Sequence, residues 1–137
     1  MTYLGLVNGA KGIIYWSHYN MRVLPQYDEM WGWMKEIGQE VIDLSPAIMS
    51  PDDLGAVAVS PVDAPIETQL KRHDGKYYLL AVSTAPHAQR VELKCGASAY
   101  TGAVTVKFEE RNVEAKKGQW SDTFEPLAVH VYEWAAE

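Results

Sequence analysis

This chain of 137 residues is short of the features that reveal a function at sight. It has a single cysteine, Cys95. An intrachain disulfide is therefore excluded, and a lone thiol fits a reducing, cytoplasmic setting. Basic residues are few: 12 Lys and Arg face 18 Asp and Glu, a formal net charge of −6. With no basic stripe, nucleic acid and anionic membrane surfaces are excluded as expected partners. Apolar runs are short as well. The amino-terminal stretch lacks a charged segment followed by an apolar one, so the chain as it stands reads as soluble and without an export signal. The histidines, His18, His73, His87 and His130, have no metal-ligand spacing among themselves or with Cys95, so no metal is expected. No glycine-rich loop follows a strand pattern, so no nucleotide cofactor is expected either.

What the sequence does have is apolar and aromatic. Hydrophobic residues make up 47%, with five Trp and eight Tyr, enough for a packed core. Such an excess of aromatics suits both core filling and stacking on sugars or proteins.

Periodicity changes part-way along the chain. Residues 2–8 predict a short helix stopped by Asn8-Gly9. Residues 12–16, Gly-Ile-Ile-Tyr-Trp, lack polar alternation, the pattern of a parallel strand buried on both faces. Residues 27–44 predict an amphipathic helix with Met30, Met34, Ile37, Val41 and Leu44 on one face and Asp28 and Glu29 in the first turn. Ser45-Pro46 is the expected stop. Residues 47–65, with Pro51, Pro61 and Pro65, read as a connection. Beyond it the period becomes two. Strands are expected over 66–72, 77–83, 89–95, 102–108, 112–115 and 129–134, the first two joined by a His73-Asp74-Gly75-Lys76 hairpin. The fold class is therefore α+β: a helix–strand–helix segment over residues 1–50, then an antiparallel β-sandwich over 51–137. The first segment cannot stand alone, because a strand buried on both faces needs parallel neighbours.

The residues from Met1 through Trp16 and Ser17 resemble the seventh helix and eighth strand of retaining, two-glutamate (β/α)8-barrel glycoside hydrolases. Residues 27–44 resemble their eighth helix, and the segment 122–132 is similar to the closing strand of the β-sandwich that often follows such barrels. The resemblance implies a parent that hydrolyses O-glycosidic bonds with two carboxylates about 5–5.5 Å apart. Those carboxylates would lie on strands preceding Met1, so the chain alone is expected to be inactive, with no catalytic residue of its own. It also implies that Trp16, at the strand's carboxy-terminal rim, forms part of a sugar-binding floor, with His18 and Tyr19 lining the same pocket. Carbohydrate is then the partner of the parent.

Two bland readings and one rival stand beside this. The acidic residues of the long helix read first as a solvated face, and Cys95 as a half-buried strand residue. The rival is an autonomous non-catalytic module binding carbohydrate or protein, in which Trp16, Trp31, Trp33 and Trp120 would be partly exposed. Either way, the unpaired strand holding Ile13 and Trp16 is a sticky edge. The chain is expected to cover it by forming a homo-oligomer or by folding it onto the β domain.

Overall fold

The computed structural model describes residues 1–15 and 21–136. Helices α1 (Thr2–Val7) and α2 (Tyr27–Ile48) come first. Nine strands follow: β1 (Asp53–Gly55), β2 (Ala58–Ser60), β3 (Ile66–His73), β4 (Lys76–Ser83), β5 (Gln89–Lys94), β6 (Gly102–Lys107), β7 (Arg111–Ala115), β8 (Gln119–Phe124) and β9 (Val129–Ala135). They form two sheets, one in the order β1-β3-β4-β9-β6-β7 and one in the order β2-β5-β8. Every pairing is antiparallel. The architecture is the expected α+β arrangement with an antiparallel sandwich.

The β3–β4 hairpin shows how local chemistry sets register. His73 pairs with Lys76, and the two residues between them, Asp74 (φ 46°) and Gly75 (φ 69°), take the left-handed conformation. Asp and Gly tolerate that region, and two such residues match the strands' twist. Gly118 (φ 75°) is more constrained, because an added Cβ would lie 2.0 Å from the Ser98 carbonyl oxygen. Only glycine fits there.

The core between the sheets holds the aromatic residues Tyr77, Trp120, Phe124, Tyr132 and Trp134. Trp120 lies 5.3 Å, ring to ring, from both Tyr132 and Trp134, and Trp134 lies 5.3 Å from Tyr77. These are offset and edge-on contacts of the kind aromatic quadrupoles favour. Trp120 is only 4% exposed, which removes it from the surface platform of the module reading. Cys95 is buried in the same core, and burial raises its thiol pKa.

A second core lies on the opposite face of the large sheet. Tyr3 and Leu6 of α1 and Leu44 and Ile48 of α2 pack on Leu80, Val82 and Val131. Ile13, Ile37 and Val41 extend this cluster. The expected apolar face of the long helix thus divides. Ile37 and Val41 do reach the sheet, whereas Met30 and Met34 lie beyond it and line an open groove.

Three expectations need correction. Residues 12–15 form no strand, and Ile14 is 92% exposed. A strand forms only against a ladder partner, and none of the described strands pairs with residues 12–15. Second, α2 does not stop at Ser45-Pro46 but runs through to Ile48. Pro46 has no N–H for the Ile42 carbonyl, and the Ser45 hydroxyl donates to that oxygen instead (2.8 Å). Burial of Leu44, Ala47 and Ile48 then outweighs the helix-breaking tendency. Third, the expected connection contains two strands. β1 pairs with β3, and β2 pairs with β5. Asp53 of β1 accepts a bond from Lys71 (2.7 Å), whose side chain is 1% exposed.

If the α2–sheet contact holds the helical layer in place, Leu44→Ala should destabilise the chain by about 2–5 kcal/mol. The check is a urea melt followed by far-ultraviolet circular dichroism. An unchanged midpoint would show that the contact contributes nothing.

Candidate functional site

Trp16, His18 and Tyr19 lie outside the described residues. What the structure does describe is the ground beside them. Tyr15 is 46% exposed, and its hydroxyl is hydrogen-bonded to the Thr2 hydroxyl on α1. Tyr3 points the other way, under α2, where its hydroxyl donates to the Glu40 carboxylate (2.6 Å). Burial, then the adjacent Glu40 charge, pushes the Tyr3 pKa well above that of an ordinary phenol.

Between these elements opens a groove of about 570 Å³, lined by Tyr3, Tyr15, Met30, Trp33, Met34 and Ile37 among others. Its walls are almost wholly apolar. It exists because α2 is longer than the surface beneath it. A helix of 22 residues spans about 33 Å, yet within it only Leu44, Ala47 and Ile48 are buried. The amino-terminal half therefore overhangs. Trp33 is 53% exposed there, and Tyr27 and Trp31 stack on the neighbouring flank with ring centres 6.4 Å apart.

Polar chemistry concentrates elsewhere, at the end of the sandwich where β7, β8 and β9 meet. The Arg111 guanidinium makes two bonds to Asp122, of 3.1 and 2.8 Å, and one to Glu109, of 2.7 Å. The Tyr132 hydroxyl donates to Asp122 (2.9 Å). The His130 ring contacts Glu109 through Nδ1, while Nε2 lies 3.2 Å from the Thr123 carbonyl oxygen. Burial opposes charge on Asp122, but the bonds from Arg111, Tyr132 and the Thr123 N–H prevail and hold its pKa below the ordinary carboxylate value. The Glu133 pKa is lowered in the same way: burial opposes, while Lys76 (2.6 Å) and Lys107 (3.1 Å) overcome it.

These partnerships decide what the carboxylates can do. A general acid or nucleophile for glycoside cleavage must face a substrate space. Asp122 and Glu109 are committed to Arg111, Glu133 to two lysines, and Glu40 to Tyr3. The described residues hold no group of three His, Cys, Asp or Glu side chains suited to a metal ion. No helix among them is long and apolar enough to cross a membrane.

Periodicity does not mark β8 or its buried Asp122. Trp120, Asp122 and Phe124 do alternate inward, but a carboxylate in the middle position breaks the apolar pattern. The signal lay in pairing it with Arg111, eleven residues back, which only the fold brings close.

No known family model matches the chain, and no curated protein sequence does. Solved structures do match in shape. AmyP in complex with maltose is 19% identical over 72% of this chain, with a TM-score of 0.54. An Anoxybacillus alpha-amylase is 13% identical over 72% of the chain, with a TM-score of 0.51. The E221Q form of AmyP in complex with maltotriose is 17% identical over 69%, with a TM-score of 0.51. The chain has the fold of part of a glycoside hydrolase. It spans about a fifth of the length of these amylases, between 19% and 21%.

In this fold the Arg111–Asp122 pair has a testable structural role. The Asp122 pKa is lower folded than unfolded, so its contribution is present above about pH 4 and lost as pH falls through the folded value. Asp122→Asn should therefore cost about 2–3 kcal/mol at neutral pH. It should also flatten the loss of stability as pH falls below about 4. Parallel acid-limb slopes for wild type and variant would count against this assignment.

Proposed function

We propose that this chain is the non-catalytic carboxy-terminal portion of a longer glycoside hydrolase. In that reading residues 1–50 are the last elements of a (β/α)8 barrel and residues 51–137 its companion β-sandwich. The parent would hydrolyse O-glycosidic bonds by a two-glutamate retaining mechanism. The observation that carries the reading is the overhang of α2. On a fold that spans a fifth of an amylase, a large apolar groove among the described residues stands open beneath the helical layer, where further α/β elements would pack. The paired carboxylates Glu40, Glu109, Asp122 and Glu133, each tied to a basic or phenolic partner, fit a packing role.

In the parent, Trp16, His18 and Tyr19 would contribute to sugar binding at the barrel rim, with Trp16 stacking on the apolar face of a pyranose. AmyP binds maltose and maltotriose, which makes α-linked glucose oligomers the first substrates to try. In the isolated chain, the exposed apolar side chain of Ile14 would be the surface through which two copies associate.

A second reading, an autonomous carbohydrate-binding module, is favoured by one observation, the exposed Trp33 beside Tyr15. The two readings part on solution behaviour. The purified chain should show no hydrolysis of aryl glycosides or malto-oligosaccharides above the buffer rate. Protein-dependent turnover would overturn the proposal. A saturable shift of Trp fluorescence on adding an oligosaccharide would favour the module.

A further inference from the structure

The overhang also carries a charge pattern. Along α2, Glu29, Glu36, Glu40 and Asp43 recur at spacings of seven, four and three, so they form one stripe along the flank of the groove-facing residues. Glu40 is taken up by Tyr3, while Glu29 and Glu36 are exposed. The helix contains five acidic residues and one basic residue, Lys35. Groove and stripe together describe a seat with an apolar floor and one acidic wall.

The direction of α1 indicates what would occupy it. Met1 and Thr2 line the groove with Trp33 and Met34, Tyr3 reaches Glu40, and Leu6 shares a cluster with Leu44 and Ile48. The two helices therefore run the same way. A backward continuation of α1 would pass along Met34 and Met30, with one flank against Glu36 and Glu29. The distance from Ile37 to Tyr27 is about ten residues of helix, or roughly 15 Å.

We propose that this groove is the seat of a helical segment of the parent polypeptide, preceding Met1, with an apolar face and a Lys- or Arg-bearing flank. The inference rests on the fragment reading and names the chemistry of what covers α2. A second copy of this chain fits the seat poorly, since its own α2 would bring the same acidic stripe against the first. Apolar contact supplies the affinity, and the charges set orientation and partner choice.

The probe is a synthetic amphipathic Leu–Lys helix of about 18 residues, long enough to hold helical form, with a Leu–Glu peptide as counterpart. Each is titrated into the 137-residue chain, with fluorescence followed in wild type and Trp33→Phe. The Leu–Lys peptide should blue-shift the wild-type spectrum but not that of Trp33→Phe. Its binding should weaken at least about tenfold in Glu29→Lys/Glu36→Lys. It should remain unchanged in Glu92→Lys/Glu114→Lys, which makes the same change of charge on β5 and β7, at residues that do not line the groove. Circular dichroism checks that each variant is folded. Equal binding of the Leu–Glu peptide, equal weakening by the distant pair, or no binding would overturn the inference. So would sedimentation showing a dimer that buries Trp33. None of these outcomes bears on the hydrolysis assay, so failure here and failure of the fragment reading remain distinguishable.

Discussion

Strand β4 buries both of its faces, and the rest of the structure is arranged around that need. Leu79 and Ala81 point into the sandwich, while Leu80 and Val82 point outward. An antiparallel sheet with one solvated face would place polar residues at the outward positions. Here α1 and α2 cover them. Removing apolar surface from water is the main favourable term in folding, so the helical layer and the sandwich stabilise one another through a shared sheet. The same constraint acts on β9, where Val131 faces the helices and Tyr132 faces the sandwich.

Coverage is incomplete, and the functional proposals come from that incompleteness. Beneath the amino-terminal half of α2, Met1, Thr2 and Tyr15 line an open groove and leave Trp33 half exposed. An exposed Trp beside two Met side chains is an unusual surface for a helix that ends in a well-buried turn. The polar cluster of Glu109, Arg111, Asp122, His130 and Tyr132 is the reverse case. Its groups satisfy one another, and their role is to hold β7, β8 and β9 together where the two sheets meet. Satisfied networks of this kind specify geometry more than they supply reactivity.

Much of the β domain was legible in the sequence because its signals are local. The Asp74-Gly75 turn fixed a register, and alternation at Val91 and Leu93 or at Val104 and Val106 marked strands with one buried face. β8 was not legible, since Asp122 occupies an inward position that only Arg111 and Tyr132 make tolerable. The helix end at Ser45-Pro46 was misjudged for a related reason. A proline costs a helix one hydrogen bond locally, but burial of Ala47 and Ile48 is a distant contribution that periodicity does not weigh. The aromatic excess read equally well as core or as binding surface, and the structure divides it: Trp120 and Trp134 are core, whereas Trp31 and Trp33 are exposed.

By itself the sequence determined the α+β class, with helices ahead of an antiparallel strand-only region, and the lack of disulfide and metal-ligand spacing. These follow from spacing and residue chemistry within a few turns of chain. Only the tertiary structure decided that residues 12–15 form no strand, that Glu109, Asp122 and Glu133 are paired, and that half of a long apolar helix face stands open. Each of those depends on a partner distant in sequence, or on the lack of one, and neighbours along the chain carry no record of it.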